Sequence, residues 1–83
     1  MWQAVWSHRA AVEIDSLTPQ VRDRIMDAVD RFARTGHGDV KALKGPGRLL
    51  RLRVGDWRVI FTSDTSHQTL YIASLHSRAT AYR

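Results

Sequence analysis

The feature that most constrains this chain is a pair of alternating apolar and polar segments on either side of Gly55-Asp56, within residues 49–61. A two-residue connection containing glycine is typical of a tight β-hairpin. This loop places Arg53 opposite Arg58. Side chains alternate between the two faces of a strand. One face is therefore predicted to be apolar, and the other to carry three arginines, Arg51, Arg53 and Arg58, with Leu49 and Ile60 beside them.

The positive charge of the chain is concentrated around this hairpin. Residues 1–39 contain five basic and six acidic residues, whereas residues 40–83 contain eight basic and two acidic ones. Two arginines directly opposite each other destabilise a sheet, so an anion or an acidic side chain is expected between them. Eleven of the thirteen basic residues are arginine, whose forked guanidinium suits phosphate. The pattern indicates a polyanion-binding surface, and the alternative is an ordinary solvated sheet face.

Length and composition set further bounds. The 83 residues are interpreted as a single domain, 1–83, with one small core. No cysteine is present, which is consistent with a reducing cytoplasm. We expect neither a secretion signal nor a membrane span, because residues 1–6 lack the pattern of a signal peptide and no apolar run is long enough. The histidines show no metal-ligand spacing, so no metal or other cofactor is expected.

The order of elements predicts an α+β fold, β-α-α-β-β-β. Trp2 to Ser7 forms a first strand, Ser7 caps a short helix, and Thr18-Pro19 starts a second helix that ends near Gly36. Residues 35–48 contain four glycines and are interpreted mainly as a connecting loop. The hairpin and a strand over residues 69–76 follow. We expect an antiparallel-meander sheet with both helices packed on one face, which leaves the arginines on the other.

With these elements in place, the chain resembles the RelE/ParE superfamily of bacterial toxins. The resemblance rests on the element order, Leu43-Lys44-Gly45, the hairpin from Leu52 to Phe61 and the ending from Arg78 to Arg83. Similarity to the RelE-type members implies an mRNA interferase that cuts messenger RNA in the ribosomal A site. Similarity to the ParE-type members implies a DNA gyrase inhibitor without nuclease activity. Both imply a cognate antitoxin partner.

The resemblance assigns candidate residues. Arg58 matches the hairpin arginine placed on the scissile phosphate, Arg78 the arginine after the last strand, and Tyr82 the C-terminal tyrosine of the site. Arg51 falls where such toxins often carry lysine, and the second lysine position is Leu49 here. The residues expected to contact RNA without catalysing its cleavage are Arg53, Lys41, Lys44, Arg48 and Arg83.

Cleavage that uses the 2′-hydroxyl requires a base, cations for the phosphorane and an acid for the leaving 5′-oxygen. Arginine is a poor base because it stays protonated. His76 and Tyr82 are therefore the candidates for proton transfer. The missing lysine suggests that the ribosome helps to position the message. A third possibility is a superfamily member that binds its antitoxin and does little else.

Overall fold

The computed structural model describes residues 2–45 and 47–78, within which two helices pack on one five-stranded sheet. The helices are α1 (His8–Asp15) and α2 (Pro19–Thr35), and the strands are β1 (Gln3–Trp6), β2 (Asp39–Ala42), β3 (Leu50–Val54), β4 (Trp57–Asp64) and β5 (Thr69–Ser77). The α+β class and the placement of both helices on one sheet face are confirmed. No helix in these ranges is long and apolar enough to cross a membrane.

The helix boundaries follow the predicted signals. Ser7 is the N-cap of α1, and its hydroxyl accepts a hydrogen bond from the backbone N–H of Ala10 at 3.0 Å. Pro19 begins α2, although Thr18 at the N-cap makes no side-chain cap bond. Gly36 ends α2 in the left-handed region, with a φ of 75° that glycine adopts without a steric penalty.

The core lies between the helices and the apolar face of the sheet. Both helices present small or branched apolar residues toward it, namely Ala10, Ile14, Ile25, Val29 and Ala33. The sheet contributes Leu52, Val54, Val59, Phe61, Leu70, Ile72 and Leu75. Phe32 of α2 meets Phe61 edge to face, with ring centroids 5.6 Å apart. The predicted apolar face of the hairpin is therefore the floor of the core.

Two parts of the predicted topology are wrong. The order of the sheet is β1-β5-β4-β3-β2, and β1 pairs with β5 in parallel, so the sheet is mixed and not a pure antiparallel meander. Residues 39–42, which the glycine-rich pattern predicts to lie in a loop, form β2 and pair with β3. This strand has only four residues and is bounded by glycine-rich connections, and its backbone bonds to β3 stabilise it more than its weak apolar alternation does.

A β-bulge interrupts the pairing of β4 with β5. Ile60 pairs with Ser74 and Phe61 with Ile72, so Ala73 is the extra residue on β5. The first helix holds this segment in place. Ser7 donates its hydroxyl hydrogen to the carbonyl oxygen of Ala73 at 2.9 Å, and Glu13 accepts a hydrogen bond from the N–H of Leu75 at 3.2 Å.

Candidate nucleic-acid interface

The face of the sheet opposite the helices carries a cluster of cations, here called the arginine face. The arginine face is made of alternate residues of four neighbouring strands. They are Asp39 and Lys41 on β2, Arg51 and Arg53 on β3, Arg58 and Ile60 on β4, and Ser74 and His76 on β5. The predicted hairpin register, with Arg53 opposite Arg58, is confirmed. The register also aligns Asp39, Arg53, Arg58 and His76 in one row across the sheet.

The Gly55-Asp56 turn organises the two central arginines. Gly55 has a φ of 60°, which glycine tolerates. Its carbonyl oxygen accepts from Nη1 of Arg58 at 3.2 Å and from Nε of Arg53 at 3.4 Å. Nη1 of Arg58 also donates to the carbonyl oxygen of Trp57 at 3.1 Å. Backbone oxygens of the turn therefore aim both guanidinium groups without neutralising their charge.

Arg58 is the most enclosed of the cations. It is only 5% exposed, while Arg53 on the opposing strand is exposed. Both hydrogen bonds that Arg58 makes with the described residues use Nη1, so Nη2 and Nε have no acceptor among those residues. A buried guanidinium with two donors uncommitted in this way is suited to an anionic oxygen, because poor solvation strengthens a charge-assisted hydrogen bond.

Arg51 is held differently. Its Nη2 lies 3.7 Å from Oδ1 of Asp39, and the two side chains are 14% and 58% exposed, respectively. An anion or an acidic side chain was expected between Arg53 and Arg58, but the carboxylate of Asp39 pairs with Arg51 instead. A separation of 3.7 Å with a half-exposed carboxylate makes a weak ion pair, which a phosphate group can displace.

His76 lies on the arginine face directly across from Arg58. It is half-buried, and its Nε2 is 3.0 Å from the hydroxyl oxygen of Ser74. If Ala73 were paired regularly with β4, the alternation along β5 would place His76 on the core face. The bulge reverses the alternation and brings the imidazole beside the arginines. Sequence reasoning selected His76 but missed Ser74, for which the residue pattern gave no signal.

Arg78 follows β5 immediately and is tied to the hairpin turn. Its backbone N–H donates to the carbonyl oxygen of Asp56 at 2.6 Å, and the residue is exposed. This bond places the start of the basic tail at the same end of the sheet as Arg53 and Arg58. Tyr82 and Arg83, the remaining predicted residues of the tail, lie outside the described residues.

Lys41, Lys44 and Arg48, which are predicted to contact RNA, do not lie together in the structure. Lys41 lies on the arginine face, paired in register with Arg51. Lys44 and Arg48 are exposed in the connecting loop, at the other end of β3 from the Gly55-Asp56 turn. At about 3.4 Å per residue, this separates them from the turn by roughly 15 Å. They therefore extend the positive surface and do not join the central cluster.

One further arginine reaches the hairpin turn from the helix side of the molecule. A Cβ built on Gly55 would lie 2.9 Å from Nη2 and 3.1 Å from Cζ of Arg24 on α2. Its guanidinium therefore lies against the backbone that anchors Arg53 and Arg58. Sequence reasoning did not select Arg24, because its place on α2 shows no relation to the hairpin. Within residues 2–45 and 47–78, no cluster of three metal-ligating side chains occurs.

Comparison with known proteins identifies the fold. No family model matches the sequence, and no curated protein matches it. Among solved structures, the archaeal RelE–RelB complex of Pyrococcus horikoshii is 25% identical, with a TM-score of 0.73 over 93% of this chain and 94% of that one. The RelBE2 toxin–antitoxin complex of Mycobacterium tuberculosis is 19% identical, with a TM-score of 0.81 over 93% and 98%.

The isolated RelE toxin of E. coli shows the same arrangement. It is 12% identical, with a TM-score of 0.75 over 93% of this chain and 84% of that one. These chains share the two helices on one face of a mixed sheet, which is the architecture derived above from caps, register and burial. The chain therefore has the fold of RelE-type toxins and resembles the RelE/ParE superfamily of toxin–antitoxin systems.

Proposed function

We propose that this chain is the toxin of a toxin–antitoxin pair and that it cleaves messenger RNA with the arginine face. The observation that carries the proposal is the row formed by Arg53, Arg58 and His76 on neighbouring strands, with Arg51 beside it. Such a row presents several fixed donors to one phosphate group. Preorganised donors of this kind stabilise the charge that develops in a phosphorane.

The proposed reaction is an attack of the ribose 2′-oxygen on the adjacent phosphorus. The 2′-hydroxyl loses its proton to a base, and the bond from phosphorus to the 5′-oxygen breaks. The 5′-oxygen takes up a proton, which leaves a 2′,3′-cyclic phosphate and a 5′-hydroxyl end. We assign Arg58 and Arg51 to the phosphorane, and Arg78 to the same phosphate or its neighbour. Arg53, Lys41, Lys44 and Arg48 would contact the flanking backbone.

The partners of the proposed toxin are a cognate antitoxin and a message in the ribosomal A site. The antitoxin follows from the RelE–RelB complexes among the structural neighbours. The ribosome is invoked because the described residues supply cations but few proton acceptors. A message already positioned in the A site would need less orientation from the toxin itself.

A second candidate is a gyrase-directed toxin without nuclease activity. The observation that favours it is the pairing of Asp39 with Arg51. Asp39 is the carboxylate in register with Arg53, and its ion pair with Arg51 turns it toward a cation and away from the role of a base. A surface that only binds a polyanionic or acidic partner needs no base.

One induction experiment separates these candidates. We expect expression in growing cells to produce message fragments with 5′-hydroxyl ends within translated regions, mapped by primer extension. DNA breaks and an SOS response without such fragments would instead identify the gyrase-directed toxin. Growth that continues unchanged would contradict both. An R58A variant and an R34A variant, the latter changed on the exposed face of α2, serve as the site and surface controls.

A further inference from the structure

Ser74 and His76 are neighbours within the arginine face, and Ser74 is the more deeply buried of the two. They lie two residues apart on β5, so both point to the same side, and they face Ile60 and Arg58 of β4, respectively. The hydroxyl oxygen of Ser74 and Nε2 of His76 are 3.0 Å apart. Ser74 is 7% exposed, whereas His76 is half-buried.

The burial of Ser74 decides the direction of this hydrogen bond. Nε2 of His76 is the one partner of the Ser74 hydroxyl among the described residues. If Nε2 carried the proton and donated it, the buried hydroxyl hydrogen would be left without an acceptor. An unsatisfied buried donor is costly. If the hydroxyl donates to Nε2, every donor of the pair that lies away from water is satisfied.

The direction of the bond fixes the tautomer of the imidazole. In a neutral histidine one ring nitrogen is a donor and the other an acceptor. When Nε2 accepts from Ser74, the proton lies on Nδ1. Within residues 2–45 and 47–78, Nδ1 of His76 has no partner. The ring therefore offers one N–H group to a ligand, at a position across the sheet from the uncommitted donors of Arg58.

We infer that Ser74 is a positioning residue that holds neutral His76 with its proton on Nδ1, so that the imidazole donates a hydrogen bond to a phosphate oxygen beside Arg58. The phosphate is the RNA phosphate of the proposed function, on which this inference rests. His76 then belongs with the donors that stabilise the phosphorane. His76 is then not the base for the 2′-hydroxyl, because neither of its ring nitrogens is available to take a proton, and Tyr82, the other candidate, lies outside the described residues.

The tautomer can be measured on the free protein. Long-range ¹H–¹⁵N correlation spectra of the ¹⁵N-histidine-labelled chain are recorded about two pH units above the ordinary imidazole pKa of about 6.5, where a free imidazole is neutral. The signals of His76 are assigned by their loss in H76Q. We expect a pyrrole-type Nδ1 and a pyridine-type Nε2. S74A should increase the Nε2-protonated form, and S74T, which restores a hydroxyl, should return the wild-type pattern. A pyrrole-type Nε2 in the wild type, or spectra unchanged in S74A, would overturn the inference.

The consequence for binding is measured with a short 2′-O-methyl oligoribonucleotide, which lacks the nucleophile and cannot be cleaved. Loss of an oriented donor in S74A should weaken binding on the order of fivefold, and S74T should bind like the wild type. T62A removes a hydroxyl from β4 on the same side of the sheet as the arginine face; it is the matched control and should bind normally. A wild-type chain that bound no oligonucleotide would overturn the phosphate contact of His76 and Arg58 on free RNA, whereas the spectra would still decide the tautomer and the mapped message ends would still test the proposed function.

Discussion

Arg53 and Arg58 face each other across neighbouring strands and donate to one shared acceptor, the carbonyl oxygen of Gly55. Like charges in directly opposed positions destabilise a sheet. The shared carbonyl offsets part of this repulsion and fixes the spacing of the two guanidinium groups. The arrangement holds two positive charges close together before any ligand arrives, which is the condition under which donors stabilise a transition state without reorganisation.

Substitution of Arg58 tests the central donor. R58A should lower the rate of RNA cleavage by about 10²–10³-fold, the loss typical of one preorganised donor. R58K keeps the charge but loses Nη2 and Nε, the two donors of the fork that the bonds from Nη1 to Gly55 and Trp57 leave uncommitted, so it should recover only a small part of the activity. Cleavage is measured on translated messages. Because Arg58 is buried, urea unfolding of both variants must show that they remain folded. R58K with wild-type activity would contradict the role of the fork.

Gly55 and Gly36 form a matched pair for testing the turn. Both have positive φ, at 60° and 75°, so either change to alanine should lower the free energy of unfolding by about 1 kcal/mol. A Cβ at Gly36 meets nothing within 4 Å, whereas one at Gly55 meets the Arg24 guanidinium and disturbs the carbonyl that orients Arg53 and Arg58. We therefore expect RNA cleavage to fall in G55A and not in G36A. Equal activities in the two variants would show that the carbonyl does not orient the arginines.

Asp39 competes with RNA for Arg51. D39N removes the ion pair, so RNA binding should tighten and its salt dependence should steepen by about one phosphate contact. The free energy of unfolding should change by no more than about 1 kcal/mol, because the carboxylate is half-exposed. The measurement is the dissociation constant for a short RNA at several salt concentrations. D30N, which breaks the exposed pair with Arg34 on α2, is the control and should leave RNA binding unchanged.

Ser7 joins the first helix to the bulge. S7A removes the N-cap bond to Ala10 and the bond to the carbonyl oxygen of Ala73, so it should lower the free energy of unfolding by about 1–2 kcal/mol. S16A removes an exposed bond to Glu13 at the other end of α1 and should cost less than about 0.5 kcal/mol. Urea unfolding compares the two. Similar losses in both variants would show that the link to Ala73 adds little.

The β4–β5 connection contains a pH-sensitive pair. The hydrogen bond from His67 lowers the pKa of Asp64, and the backbone N–H of His67 acts in the same direction. A lowered pKa stabilises the fold at a pH above the pKa of the carboxyl group in the unfolded chain. This contribution is lost as the pH falls through the lower pKa of the folded state. H67A should raise the pKa of Asp64 toward its ordinary value. Carboxyl-detected NMR titration measures it, and a pKa unchanged by H67A would rule out the His67 side chain as the cause.

The hairpin could be predicted because its information is local. Two turn residues and strict alternation fix the register, so the opposition of Arg53 and Arg58 follows from residues 49–61 alone. The helix ends could be predicted for the same reason, since Ser7, Pro19 and Gly36 act on their immediate neighbours.

Features set by distant contacts could not be predicted. The strand β2 depends on its partner β3 and not on its own residues, and the parallel pairing of β1 depends on the path of the chain through both helices. The sequence pattern also gives no sign that Arg58 is buried while Arg53 is exposed. That difference decides which guanidinium is better shielded from water, and it arises from the packing around the turn.

Ala73 reverses the alternation of side chains along β5, which lies between β1 and β4. On β5, the even-numbered side chains before Ala73 lie in the core, whereas the even-numbered side chains after it lie on the arginine face. If Ala73 were instead paired regularly with Ile60, the register after it would shift by one residue, which would turn the imidazole inward and put Leu75 in its place. A related chain that has the same number of residues here but lacks the bulge should therefore carry an apolar side chain where this one carries the imidazole, even if every arginine is retained.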